Sequence, residues 1–151
     1  MFLSAAFAIA LNTVVSPCDV VTRVDVERVL RATAVDVPAS EIGEETAPSC
    51  QWSTAKRDAK VKVSIWSKDE LPVVGMKDAA SYFAKLRADE KGAVDLPRTG
   101  DQAFSSLVLY ATGKSLGTIV VVKGERLFWF EFERVYARDA KAFVARVIAR
   151  V

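Results

Sequence analysis

Glu131 and Glu133, two residues apart in the run LFWFEFERV, are the side chains of this protein whose type and spacing could most directly do chemistry. An extended run sends alternate side chains to one face, so the two carboxylates project together. Inside a cleft such a pair divides into a general acid and a general base. On a wet sheet face, with Arg126 and Arg134 beside it, the same pair is only solvated charge, and this plainer reading is preferred. Asp101, in RTGDQAF, is a further candidate acid, but directly after Gly100 its simpler role is to bond nearby backbone in a turn. The chain has no histidine, which removes the commonest general base, proton shuttle and metal ligand together. Neither GxxxxGK[ST] nor GxGxxG occurs, and TGKSLG lies between two strand-like runs rather than before a helix. No catalytic residue, metal or cofactor is assigned.

The two cysteines, Cys18 and Cys50, have no CxxC spacing and no histidine to lower a thiol pKa, so nucleophilic use lacks its equipment. In an oxidising compartment they are most simply one bridge, closing a loop of about thirty residues worth roughly 3 to 4 kcal/mol. In a reducing one they are two unrelated buried thiols. The compartment is addressed by MFLSAAFAIAL, an apolar run resembling a secretory signal with small residues at Ala8-Ile9-Ala10, too short to span a bilayer. No Lys or Arg follows Met1, and an N-terminal strand or core helix is the other reading. Lipidation of Cys18 ranks below a disulfide, because Pro17 stands where a small residue is needed. The expected organisation is an export signal or a disordered apolar segment over 1–16 and a single α+β domain over 17–151.

The elements that must position these residues follow from periodicity. Hydrophobic residues make up 51% of the 151 and charged residues 26%, enough for one packed core. The 21 basic and 19 acidic residues are interspersed, which argues against nucleic acid as a partner. Thr22 and Asp25 form a capping box for a helix starting near Val24, carrying Val26, Val29 and Leu30 on one stripe and ending by about Thr33. A loop rich in proline and acid leads to SCQWST and AKVKVSIWS, read as a hairpin around AKRD with Val61, Val63 and Ile65 on one face. MKDAASYFAKLRADEKG is a second helix with Ala79, Phe83 and Leu86 inward. AFSSLVLY, GTIVVVKG and ERLFWFEFERV form a meander, its last turn at Gly124-Glu125 suited to type II′. Phe128, Phe130 and Phe132 share one face of the last strand, and Leu127, Trp129, Glu131 and Glu133 the other. The final helix presents Ala140, Phe143, Val144, Val147, Ile148 and Val151. The expected fold class is α+β, an antiparallel sheet of about five strands with three helices packed on it.

Trp66 and Trp129 fall opposite Ile65 and Phe130, while Trp52 lies on the first hairpin strand. If helices cover one sheet face these indoles form a recognition surface with Glu131, and if helices cover both they are core. The candidate binding surface is therefore Trp66, Trp129 and Glu131.

PCDVVTRVDVERVL, the cysteine-aromatic element SCQWS, LPRTGDQAF, TIVVVKGERLFWFEF and the closing amphipathic helix together resemble the small exported bacterial proteins grouped as domain of unknown function 3558, many of them lipoproteins. The likeness covers roughly residues 17–151. It implies a Mog1/PsbP-like α/β/α sandwich, a Cys18–Cys50 disulfide and a periplasmic or secreted location in the cell envelope. Arg31 departs from it, standing where a glycine often follows the first helix, and so does the poor lipobox. The functional expectation is a non-catalytic binding or accessory module whose partner is an envelope protein or a small apolar ligand, with no stable membrane span. The alternatives are a small carboxylate-dependent hydrolase using Glu131 or Asp101, and a homodimeric assembly factor joined through a strand edge or the Trp129 face.

Overall fold

The computed structural model describes residues 16–151. Its first element is a single turn, α1 (Pro17–Val20), with Ser16 accepting from the Cys18 amide and proline at the start, where a missing N–H costs nothing. Helix α2 (Arg23–Leu30) opens on the capping box: the Asp25 amide donates to Thr22 Oγ1 at 3.2 Å and the Thr22 amide to Asp25 Oδ2 at 3.4 Å. It ends at Leu30, inside the expected bound of about Thr33, where Arg31 turns left-handed at φ 53°. Tertiary contacts hold that turn. Arg31 Nε donates to Asp139 at 2.7 Å, and its guanidinium lies 4.2 Å from the centre of the Tyr136 ring.

Beyond α2 run β1 (Val35–Asp36), the one-turn α3 (Ala39–Ile42), β2 (Ser49–Ser53) and β3 (Lys60–Trp66). A 3-10 turn over Leu71–Val74 leads to α4 (Ala79–Asp89), capped by Asp78, whose carboxylate accepts from the Ser81 amide at 2.7 Å. Strands β4 (Val94–Asp95), β5 (Gln102–Leu109), β6 (Lys114–Lys123) and β7 (Arg126–Tyr136) follow, and α5 (Ala137–Ala149) closes the chain. All seven strands form one antiparallel sheet in the order β1-β2-β3-β7-β6-β5-β4.

The expectation of about five strands and three helices does not hold: there are seven strands and five α-helices. The additional strands, β1 and β4, are two residues each, and the additional helices, α1 and α3, are single turns. None is long enough to show a hydrophobic period. The edge strands exist because β2 and β5 offer free ladder groups; the Val37 amide reaches Gln51 O and the Leu96 amide reaches Ala103 O, both at 2.9 Å.

Each sheet face has its own core. On one, Val61, Val63, Ile65, Ile119, Val121, Phe128, Phe130 and Phe132 are buried against α2 and α5. Phe143 of α5 sits edge-on between Phe130 and Phe132, at 6.1 and 6.0 Å. On the other, Trp66, Phe104, Val120, Val122 and Leu127 lie beneath α4 and the 3-10 turn. In β7 the pairing steps from Leu116↔Glu133 to Ser115↔Val135, leaving Arg134 as the extra residue of a bulge at φ 57°. The bulge reverses the alternation and carries Val135 into the core with Phe132.

Cys18 and Cys50 are joined in a disulfide, with Cα atoms 5.7 Å apart, tying α1 to β2. Asp25 makes a second tie: Arg146 Nε of α5 donates to it at 3.2 Å, and Arg150 also bonds it. Among the described residues no helix is long and apolar enough to cross a membrane. The export segment expected over 1–16 lies, but for Ser16, outside the described residues.

Candidate binding surface

Helix α4 is eleven residues long and lies over only part of its sheet face. Its Tyr82 stands edge-on to both Trp66 and Trp129, with ring centres 5.3 and 6.3 Å away. Trp66 is 9% exposed and belongs to the core under α4, whereas Trp129 is half-buried at the border of the covered area. Both indole Nε1 atoms are buried without a hydrogen-bond partner. Burial pushes the Tyr82 phenol above its ordinary pKa.

Past Trp129 the helix cover stops. The strands continue, and their alternate residues become an open trough of about 450 Å³ lined by Gln51, Lys60, Lys62, Thr118, Glu131 and Glu133, with Leu116 at one side. Its floor is a ladder of opposite charges, because β3 and β7 pair Lys62 with Glu131 and Lys60 with Glu133. The ion-pair distances are 3.5 and 3.6 Å, and Lys62 also bonds Glu45. Burial works against the Lys62 charge, but the Glu45 hydrogen bond and the neighbouring Glu131 outweigh it and raise the ammonium pKa.

Glu131 and Glu133 do share a face, on an open surface with side chains 44% and 39% exposed. Each carboxylate has a lysine opposite it, and no wall closes over the pair. Asp101 is elsewhere, at the turn end of the β6–β7 ladder, where its Oδ2 accepts from the Gly124 amide at 2.7 Å. That bond supports the turn, with Gly124 at φ 61° as a type II′ hairpin requires. Trp52 is buried on the opposite face, beside Cys50 and Val61. Among the described residues no group of three or more His, Cys, Asp or Glu is placed to hold a metal ion.

Lys60, Lys62, Thr118 and Tyr82 escape a reading of the sequence as candidates. The alternation of Lys60 and Lys62 with valines marked a wet strand face, but nothing local shows that β7, more than sixty positions on, supplies the opposing acids. Compared with known proteins, the chain matches no family model, no curated protein and no solved structure. Its own residues must carry the functional reading.

Proposed function

We propose that this protein is a non-catalytic binding module of the cell envelope whose partner is an extended protein segment laid along the trough beside Trp129. The observation that carries this is the half-covered sheet face: α4 stops at Trp129 and leaves a preformed concave strip floored by the Lys60–Glu133 and Lys62–Glu131 pairs. Backbone amides and mixed charges of a polypeptide match such a floor, while a small apolar ligand finds little there to bury against. Leu116, 42% exposed, and its cross-strand neighbour Val108, 66% exposed, offer apolar anchors at one end. The Cys18–Cys50 bridge supports a location outside the reducing cytosol, as does the resemblance to the exported family. Open, lysine-paired carboxylates support binding over hydrolysis.

A photo-crosslinking amino acid at Thr118, compared with one at exposed Ala142 on α5, tests the surface in the exporting cell. A discrete crosslinked protein at 118 only, lost in a Lys60→Glu, Lys62→Glu double variant that folds normally, is the expected result. Equal products at both positions, or a product indifferent to the charge reversal, would sink the reading. Alkylation of the denatured, unreduced protein from its native compartment should find no free thiol.

A further inference from the structure

At the end of the sheet nearest the C-terminus of α2, a second cleft of about 450 Å³ carries an imbalance of charge that the trough does not. Four cationic side chains line it, Arg31, Lys56, Lys114 and Arg134, and the lining carboxylate is Asp58. Arg31 is paired with Asp139, but Lys56, Lys114 and Arg134 make no ion pair among the described residues. Counting Asp58 and Asp139 against the four cations leaves a surplus of about two positive charges, in a cleft with an apolar floor that weakens screening. The carboxyl-terminal end of α2 and the amino-terminal end of α5 both border the cleft, so their opposite end-charges offset and the side chains set the field.

Two of the lining cations also have an unusual backbone. Arg31 at φ 53° and Arg134 at φ 57° hold left-handed conformations that glycine adopts without steric cost, and both line the cleft. Arg57 and Arg98, at φ 57° and 60°, are left-handed too but lie outside the lining. Arg31 Cζ lies over the Tyr136 ring, 4.2 Å from its centre, and Lys114 Nζ lies 6.0 Å from the same centre, so part of the cluster is oriented before any ligand arrives.

We infer that this cleft binds a phosphate group, with Lys56, Lys114 and Arg134 as its direct partners and Arg31 held alongside. A dianion matches the surplus charge, and a guanidinium fork with ammonium groups is the donor set that recognises tetrahedral oxyanions. The phosphate can belong to a small soluble compound or to a lipid headgroup.

Titration of the isotope-labelled protein with inorganic phosphate at constant ionic strength, followed by amide NMR, tests the shared chemistry. Saturable shifts confined to Arg31–Thr33, Thr54–Ala59, Lys114 and Arg134–Tyr136, absent when chloride replaces phosphate, are expected. Arg134→Gly removes a charge while relieving its backbone, so the fold survives and phosphate affinity should fall about tenfold; Lys114→Gln should do the same. Lys68→Gln, exposed and remote from the lining, should change nothing. Non-saturating or scattered shifts, or wild-type affinity in both cleft variants, overturn the site. Flotation with phosphatidate vesicles then separates the sources: vesicle binding that inorganic phosphate competes away assigns a headgroup, and phosphate binding without it assigns a soluble compound.

Discussion

Asp25 shows how one carboxylate can do three jobs at once. It closes the capping box of α2, bonds Arg146 of α5 and bonds Arg150 at the C-cap of that helix, and it is almost fully buried while doing so. Burial alone would raise its pKa, but the Arg150 and Thr22 hydrogen bonds override it and hold the carboxyl at about 2, below the ordinary 3.8. The ionised form is therefore the one that folding favours. Its contribution, about 2 kcal/mol, is present above about pH 5 and is lost as the pH falls through 2. Urea unfolding at pH 6 and pH 3 should show wild type losing more stability than Asp25→Asn across that interval, and equal losses would refute the coupling. Gly117 is the other single position on which much depends. A Cβ there would lie 2.0 Å from the Ser106 carbonyl oxygen, and its φ is 146°. Gly117→Ala should cost at least about 2 kcal/mol by forcing β5 and β6 apart at the wall of the trough, measurable as a fall in melting temperature.

Among the elements, α5 and the bulge in β7 set the geometry that matters. Phe143 is fully buried and edge-on to two phenylalanines of the central strand, so Phe143→Ala should cost about 3 to 5 kcal/mol in denaturant unfolding. A loss under 1 kcal/mol would mean that α5 does not dock as described. The bulge at Arg134 moves Val135 to the α5 core and turns the last residues of β7 toward the basic cleft. Replacement of Arg134 by glycine should leave stability unchanged or raise it by up to about 1 kcal/mol, since strain relief offsets the extra freedom of the unfolded chain. The length of α4 decides how much of the sheet is left open. Its exit at Asp89 leaves Glu131 open to solvent, while Lys62 beside it is largely buried and bonded to Glu45.

At the scale of the molecule, the disulfide joins the first turn of the described chain to β2 across a separation of 32 residues. In the chain-entropy account this contributes about 3 to 4 kcal/mol, a large part of an ordinary domain's total. A Cys18→Ser, Cys50→Ala double variant should unfold at correspondingly lower urea, and reductant should shift the wild type to the same midpoint. The two-residue strand β4 pairs with β5 only at Phe104 and Ser105, so Ser106–Leu109 of β5 have no strand partner on that edge and leave ladder groups open there. The two clefts lie on separate parts of the surface with different charge, one balanced by cross-strand pairs and one not.

Local signals in the sequence sufficed for the Thr22–Asp25 cap, the apolar stripe of α5, the Gly124 turn, the paired cysteines and the alternation that puts Glu131 beside Trp129, because each depends on residues close along the chain or on the absence of other partners. Where α2 stops, how β7 bulges, which acids face Lys60 and Lys62, and the gathering of Arg31, Lys56, Lys114 and Arg134 around one cleft were decided only by tertiary packing. These outcomes join segments far apart in the chain, and the pairing of β3 with β7 or the hold of Asp139 on Arg31 leaves no periodic trace in either segment alone. Edge strands of two residues are the extreme case, since a neighbour's free backbone groups, rather than their own composition, make them strands.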